Sequence, residues 1–322
     1  MIDPARIAAA ASAIDPVFLN SPQLAFPALS EALGLDLTVK VETLNPIRSF
    51  KGRGTGWLVH ELDDATPLVT ASAGNFGQGL AYAARSRAVP VTVFAAETAN
   101  PMKLERMRRL GAEVVLAGRD FDAAKEAARA HAEQRGHRFV EDGCEREIAE
   151  GAGTLALELL SGQARFDSIL VPVGNGSLII GIGSWMKEHS PATQVIGVCA
   201  AGAPSMARSW RSGRVETTAT ADTIADGIAA RVPVPQALAE MQGVVDDMLL
   251  VEDRQIIAAM RLLVSHTGLV VEPAGAAGLA ALLADPARFR GQRVATPLCG
   301  GNVTEEQFQR WFLTAAHGLG PA

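Results

Sequence analysis

The chain has 322 residues, 48% of them hydrophobic, 20% charged and 5% aromatic, with a formal net charge of −6. That length and apolar content allow a sizeable core divided between two lobes or domains. The acidic balance and scarce aromatic residues offer nothing to nucleic acid or an anionic membrane, and no apolar run reaches the roughly 18 residues of a membrane span.

The run 37–42 alternates apolar and polar residues and reads as a strand. Ser49-Phe50-Lys51-Gly52-Arg53-Gly54 follows as a Gly-rich turn, and 57–62 reads as a helix. Lys51 therefore sits at a strand-to-helix corner, where open α/β sheets bind ligands. A lysine there is a phosphate ligand, a solvated charge or a Schiff-base nucleophile. The strand 67–71 enters Ser72-Ala73-Gly74-Asn75-Phe76-Gly77-Gln78-Gly79, which opens a helix around 80–86. Exposed amides and close-approach glycines at such a helix start make an anion site; the plainer alternative is a Gly-rich connection.

Strand 91–95, helix 103–110, strand 112–116, helix 122–134 and strand 138–140 follow. The basic cluster 103–109 reads as a solvated helix face. Strand 168–173 runs into Gly174-Asn175-Gly176-Ser177 and an apolar helix. This corner is not a dinucleotide fingerprint: its sixth position is Ile179, and the next strand, 194–198, ends in Cys199-Ala200-Ala201 rather than an acid. A Walker-type site also fails, since no Lys-Ser/Thr pair follows the glycines. A single phosphate monoester is the remaining natural ligand.

Glu272, before Pro273, is either an acidic helix start or a buried carboxylate facing a site. Cys299, after the last strand 293–298, reads by itself as a small core residue. The three cysteines form no CxxC pair or zinc spacing, and there is no Gly-x-Ser-x-Gly or HExxH motif. The Ala-rich start lacks a basic leader, so a reducing cytoplasm is the expected location.

Strand–helix alternation implies parallel sheets covered on both faces. Residues 67–145 hold a self-contained set of such units and are expected to form a small inserted α/β domain. Residues 1–66 and 146–322 would then form the larger one.

Taken together, these segments resemble the fold-type II pyridoxal-phosphate enzymes, the tryptophan-synthase β-subunit superfamily, and within it the serine/threonine dehydratases. The likeness spans about residues 17–303, in chain order. It runs through the Lys51 turn, Ser72-Ala73-Gly74-Asn75, Leu110-Gly111-Ala112-Glu113, Gly153-Thr154-Leu155-Ala156, the 174–177 loop, Thr223-Ile224-Ala225-Asp226-Gly227-Ile228, Glu272-Pro273-Ala274-Gly275 and Gly300-Gly301-Asn302.

The resemblance implies two open, twisted, mostly parallel sheets flanked by helices, with pyridoxal 5'-phosphate in the cleft between a large and a small domain. Lys51 would hold the cofactor covalently and serve as the Cα base. Phe50 would pack on one ring face, with Gly227 near the other. Asn75 would bond the ring hydroxyl, and Gly174, Asn175, Gly176 and Ser177 would hold the phosphate. Cys299 would face the pyridine nitrogen, and Ser72, Ala73, Gly74, Asn75 and Phe76 would receive the substrate. The implied reaction is dehydration and deamination of a β-hydroxy-α-amino acid such as threonine or serine, giving a 2-oxo acid and ammonia. The alternative is β- or γ-replacement, as in cysteine or threonine synthases. A homodimer is the family's habit.

Departures from the family pattern sharpen these expectations. Serine racemases use a second serine as base where Ala73 stands, so racemisation is disfavoured. They, and some dehydratases, bind a divalent cation after the strand equivalent to 194–198; Cys199-Ala200-Ala201-Gly202-Ala203-Pro204-Ser205 has no carboxylate, so no metal site is expected. Phe76 replaces a common histidine, Pro46-Ile47-Arg48 replaces a usual Thr-Gly pair, and Gly-Asn-Gly-Ser replaces four glycines. No appended regulatory domain is seen, so biosynthetic-type feedback is not expected.

Overall fold

The computed structural model describes residues 2–313 apart from 100, 120 and 163. Helix α1 (Pro4–Ala13) starts where Asp3 accepts from Ala5 N at 2.9 Å and Pro4 takes the first turn, where its missing N–H leaves nothing unpaired. Then come β1 (Gln23–Ala25), α2 (Pro27–Leu33), β2 (Asp36–Val41) and α3 (Lys51–His60). The middle of the chain alternates β3 (Leu68–Ala71), α4 (Asn75–Ala84), β4 (Val91–Ala95), α5 (Pro101–Arg109), β5 (Glu113–Leu116), α6 (Phe121–Arg135) and β6 (Arg138–Phe139). It continues with α7 (Arg146–Leu160), β7 (Ser168–Pro172), α8 (Ser177–His189), β8 (Gln194–Ala200), α9 (Ser205–Ser212) and α10 (Pro235–Met241). The series closes with β9 (Asp247–Val251), α11 (Asp253–Thr267), α12 (Pro273–Ala284) and β10 (Arg293–Leu298).

Two sheets result, one in the order β1-β2-β10-β7-β8-β9 and one in the order β5-β4-β3-β6. All pairings are parallel except β1 with β2, where Gln23 faces Lys40. Helices cover both faces, so inner strands such as β4 and β7 are buried along their whole length and read as nearly continuous apolar runs. β10, the last strand, inserts between β2 and β7, its Arg293–Leu298 matched to Asp36–Val41. That register puts three loops side by side at the carboxyl edge of the sheet: the one leading to Lys51, the one at 174–177, and the one starting at Cys299.

The glycines after Lys51 do not make a turn, as the sequence reading has it: they lie inside α3. Gly52 leaves room for the Phe18 ring, and Gly54 is there because α3 crosses α7, as α7 crosses α8, too closely for side chains. A methyl on Gly54 would meet Ile148 O at 2.5 Å, one on Gly151 would meet Arg53 O at 2.6 Å, and one on Gly181 would meet Ala149 O at 2.1 Å. Beneath α3 lies a dry ion cluster. Arg53, with no solvent exposure, donates to both Glu42 oxygens at 2.8 and 2.9 Å and both Glu158 oxygens at 2.6 and 2.9 Å. Lys40 pairs with Glu158 at 2.7 Å. Burial alone would lower the Arg53 pKa, but Glu42 and Glu158 hold it above its ordinary value.

The basic face of α5 also differs from the sequence reading. Arg108 and Arg109 are exposed, but Lys103 is buried and Arg106 half-buried. Both reach across to the other sheet's loops, Lys103 to Asp226 and Arg106 to Asn302.

Candidate active site

Lys51 is the first residue of α3, and the segment before it is pinned to the end of β10. Phe50 N donates to Cys299 O at 3.1 Å, and Ser49 Oγ to the same oxygen at 3.2 Å. Lys51 N in turn donates to Ser49 Oγ at 3.3 Å. The Lys51 amine stands 4.7 Å from the Phe50 ring centroid and 5.6 Å from that of Phe76. It donates to Asp142 Oδ2 at 2.7 Å, and Asp142 Oδ1 accepts from Ser177 Oγ at 2.7 Å. A single carboxylate thus spans the gap between Lys51 and the 174–177 loop.

That loop is the start of α8. Gly176 adopts φ +98°, which L side chains avoid, and so turns the chain into the helix. Among the described residues, the amides of Gly174, Asn175, Gly176 and Ser177 donate to no protein acceptor. Four orphan N–H groups at the positive end of a 13-residue helix form a nest for an anion. A methyl on Gly174 would lie 2.8 Å from Gly227 O, so the 174–177 and 226–228 turns close one wall together. A methyl on Gly143, next to Asp142, would lie 2.8 Å from Asn175 O.

A second polar chain centres on Glu272. Its Oε1 accepts from Asn75 Nδ2 at 2.6 Å and its Oε2 from Asn302 N at 3.0 Å. Asn302 Nδ2 donates to Asn75 Oδ1 at 2.7 Å and to Ile47 O at 2.8 Å. Burial, reinforced by the charge of Asp226, pushes the Glu272 carboxyl up to about 7, against the pull of Lys103, Asn302 and Asn75. Glu272 is therefore the buried carboxylate of the two sequence readings; it precedes α12 but its side chain caps no amide of that helix. Burial, and then Glu272, also hold the Cys299 thiol well above its ordinary range. Ser72 Oγ accepts from Gly74 N at 3.2 Å and Gly77 N at 3.0 Å, which folds the 72–77 loop back on itself. Ala73 presents only a half-buried methyl there. Phe76 packs into the apolar cluster of Leu80 and Met107 while its ring flanks Lys51.

The structure thus gathers Phe50, Lys51, Phe76, Ser177 and Cys299 in one place, with Asn75 bonded to Glu272 and Gly227 beside Gly174. Asp142 escapes the sequence reading, which gives Asn302 only as the end of the Gly300-Gly301-Asn302 segment and Arg106 only as part of a solvated basic face. Asp142 is one acid in a Glu-Asp-Gly run after β6, with no spacing signature, and only the fold turns it toward Lys51.

An open α/β fold whose carboxyl-edge cleft sets a lysine amine and an aromatic wall beside an anion nest defines an enzyme suited to a phosphorylated carbonyl cofactor. The residues fit such a group: the amine can bond the carbonyl, Phe50 offers a flat face, and the free amides suit a phosphate. Comparison with known proteins specifies the class. Residues 14–300 match the model of the family described as pyridoxal-phosphate dependent enzyme, and the chain belongs to that family. Its cofactor is pyridoxal phosphate. The chain is 39% identical over 277 residues to the L-threonine ammonia-lyase of Geobacter sulfurreducens, covering 85% of this chain and 69% of that one. It is 36% identical to the L-threonine ammonia-lyase of Thermotoga maritima, over 88% of this chain and 71% of the relative. Among solved structures it is similar to a threonine deaminase from T.th., with a TM-score of 0.88, 34% identity, and coverage of 93% and 98% of the two chains. It is similar also to maize serine racemase, with a TM-score of 0.88 and 26% identity over 96% of each chain.

Proposed function

We propose that this protein is an ammonia-lyase that dehydrates and deaminates a β-hydroxy-α-amino acid of the threonine or serine kind to a 2-oxo acid and ammonia. The observation that carries the reading is the placement of the Lys51 amine one carboxylate, that of Asp142, away from the Ser177 hydroxyl at the start of α8. The names of the relatives support the same chemistry. When bound, pyridoxal phosphate supplies the electron sink that stabilises negative charge at Cα. Gly174, Asn175, Gly176 and Ser177 would hold the phosphate, Phe50 and Gly227 would flank the ring, Asn75 would bond its hydroxyl and Cys299 would serve its nitrogen. The 72–76 loop orients the substrate carboxylate through Ser72, Gly74 and Asn75, with Phe76 closing the apolar side. Lys51 Nζ takes the Cα proton, the Cβ–oxygen bond breaks, and the hydroxyl leaves with a proton as water. Water then returns to Cα as the ammonia departs, so the products together have the composition of the substrate.

Ala73 cannot take or give a proton, so position 73 offers no second base. This favours elimination over racemisation, although a serine racemase shares the fold. We further propose that residues 67–145 form an inserted domain within 1–66 and 146–322, that the enzyme works as a cytoplasmic homodimer, and that no divalent cation serves the site.

The test is a spectrum with a substrate panel. The protein loaded with pyridoxal phosphate should show a visible absorption band, and Lys51→Ala should lose both the band and turnover. Oxo acid and ammonia should form in equal amounts from threonine or serine; a product formed only with an added nucleophile would instead establish replacement. Exhaustive chelation should leave the rate unchanged.

A further inference from the structure

Asp142 touches both ends of the proposed cofactor site. Its Oδ2 accepts from the Lys51 amine at 2.7 Å and its Oδ1 from the Ser177 hydroxyl at 2.7 Å. Lys51 is the one ion-pair partner of Asp142 among the described residues. Both side chains are shielded, at 14% and 15% exposure, so salt screens this pair far less than a surface bridge.

The turn that carries the carboxylate is held on two sides. Glu141 pairs with Lys125 at 2.9 Å and Arg129 at 3.0 Å, both on α6. Cys144 N donates to Glu141 O at 3.1 Å and closes the turn. Gly143, at φ +94°, brings the backbone so close to the 174–177 loop that a methyl there would meet Asn175 O at 2.8 Å. Asp142 is thus packed against the anion nest and cannot leave it by a shift of the whole turn.

This placement creates a conflict over one proton. A hydroxyl has a single O–H to donate, and Asp142 takes that of Ser177. A phosphate in the nest needs the same proton, and it brings negative charge up to a carboxylate. Lys51 is engaged in the same way. To bond a carbonyl carbon it must leave Asp142 and give one proton to solvent; its two remaining protons then depart with the carbonyl oxygen as water.

We propose that Asp142 is a built-in competitor of the cofactor, which holds down cofactor affinity by engaging Lys51 and the Ser177 proton until pyridoxal phosphate displaces it. The inference rests on the assignment of the phosphate to Gly174–Ser177 and of the carbonyl to Lys51 under the proposed function.

The test titrates the full chain, freed of cofactor, with pyridoxal phosphate, read by the visible band, and with inorganic phosphate, read by calorimetry. Asp142→Asn fills the same space without the charge and should fold as the wild type does; Asp142→Ala removes the acceptor as well. Each should bind both ligands about tenfold more tightly than the wild type. Ser177→Ala should change affinity by less than about threefold in the wild type, where the hydroxyl only exchanges partners. In Asp142→Ala, where the hydroxyl is free for the phosphate, the same substitution should cost about tenfold. Asp142 variants that bind both ligands no more tightly than the wild type, while Ser177→Ala still weakens binding in Asp142→Ala, would overturn the competition and leave the site reading standing. If Ser177→Ala has no effect even in Asp142→Ala, the phosphate lies outside the 174–177 loop, and the site reading falls together with the competition.

Discussion

At the scale of single residues, the site is governed by what burial does to charge. The Glu272 carboxyl has an ordinary value of 4.5 and is held at about 7 inside the fold. Between those values the unfolded chain has released this proton and the folded chain retains it. The folded state then binds more protons, so stability falls as pH rises through the window and is level above it. The full loss is about 3 kcal/mol. Urea unfolding of the wild type at steps from pH 4.5 to 7.5 should show that decline, and Glu272→Gln should flatten it. An equal slope in the variant would mean that Glu272 is ionised throughout. The sequence supports both readings of this residue and offers no means of choosing, because the choice depends on Asn302 and Asn75 arriving from 30 and 197 positions away. Arg53 is a parallel case: it lies inside the Lys51 motif, yet its partners Glu42 and Glu158 come from the end of β2 and from α7. Removing one side of such a buried cluster, as in Arg53→Met, should cost about 3–5 kcal/mol, read from the urea midpoint.

At the scale of elements, the glycines near Lys51 show why a local reading fails. Gly52, Gly54 and Gly56 have low helix propensity, and a window of sequence therefore reads them as a turn. The purpose of Gly54 is visible only in the crossing of α3 with α7, where backbone touches backbone, and that of Gly52 only in its contact with the Phe18 ring. The sequence signal that survives is the pairing of glycines in all three helices: Gly54, Gly151 and Gly181. Lys51 is one turn from Gly54, so the crossing also fixes the height of the amine in the cleft. Gly151→Ala should therefore cost about 1–3 kcal/mol through overpacking against Arg53 O, and should also shift the visible band. A variant that melts lower with an unaltered band would mean that the crossing supports the fold but not the placement of Lys51. The parallel strands are legible because burial on both faces writes them as apolar runs. The three-residue edge strand β1 carries no such run and escapes the sequence reading, whereas the other edge strand, β9, does carry one, Met248-Leu249-Leu250-Val251, that the sequence reading passes over.

At the scale of the whole molecule, the two sheets meet over the site, and the contact is electrostatic as well as steric. α5, beside the four-stranded sheet, sends Lys103 to Asp226 in the turn that carries Gly227. The basic face of α5 reads as solvated because charge periodicity records which residues are polar, not which lobe they meet. Lys103 and Asp226 also act on Glu272 in opposite directions: Asp226 raises its pKa and Lys103 lowers it. The docking of one lobe on the other thus sets the ionisation of a carboxylate that holds Asn75. Lys103→Met should leave Asp226 uncompensated and move the Glu272 break above about pH 7, whereas Asp226→Asn should move it below. Asp226 is 57% exposed, so solvent screens its share and the shift in Asp226→Asn should be the smaller of the two. The break can be followed by the pH dependence of unfolding and, independently, by that of the visible band. Opposite shifts in the two variants would tie lobe docking to the state of the site; shifts of the same sign would mean that the variants act through altered packing instead.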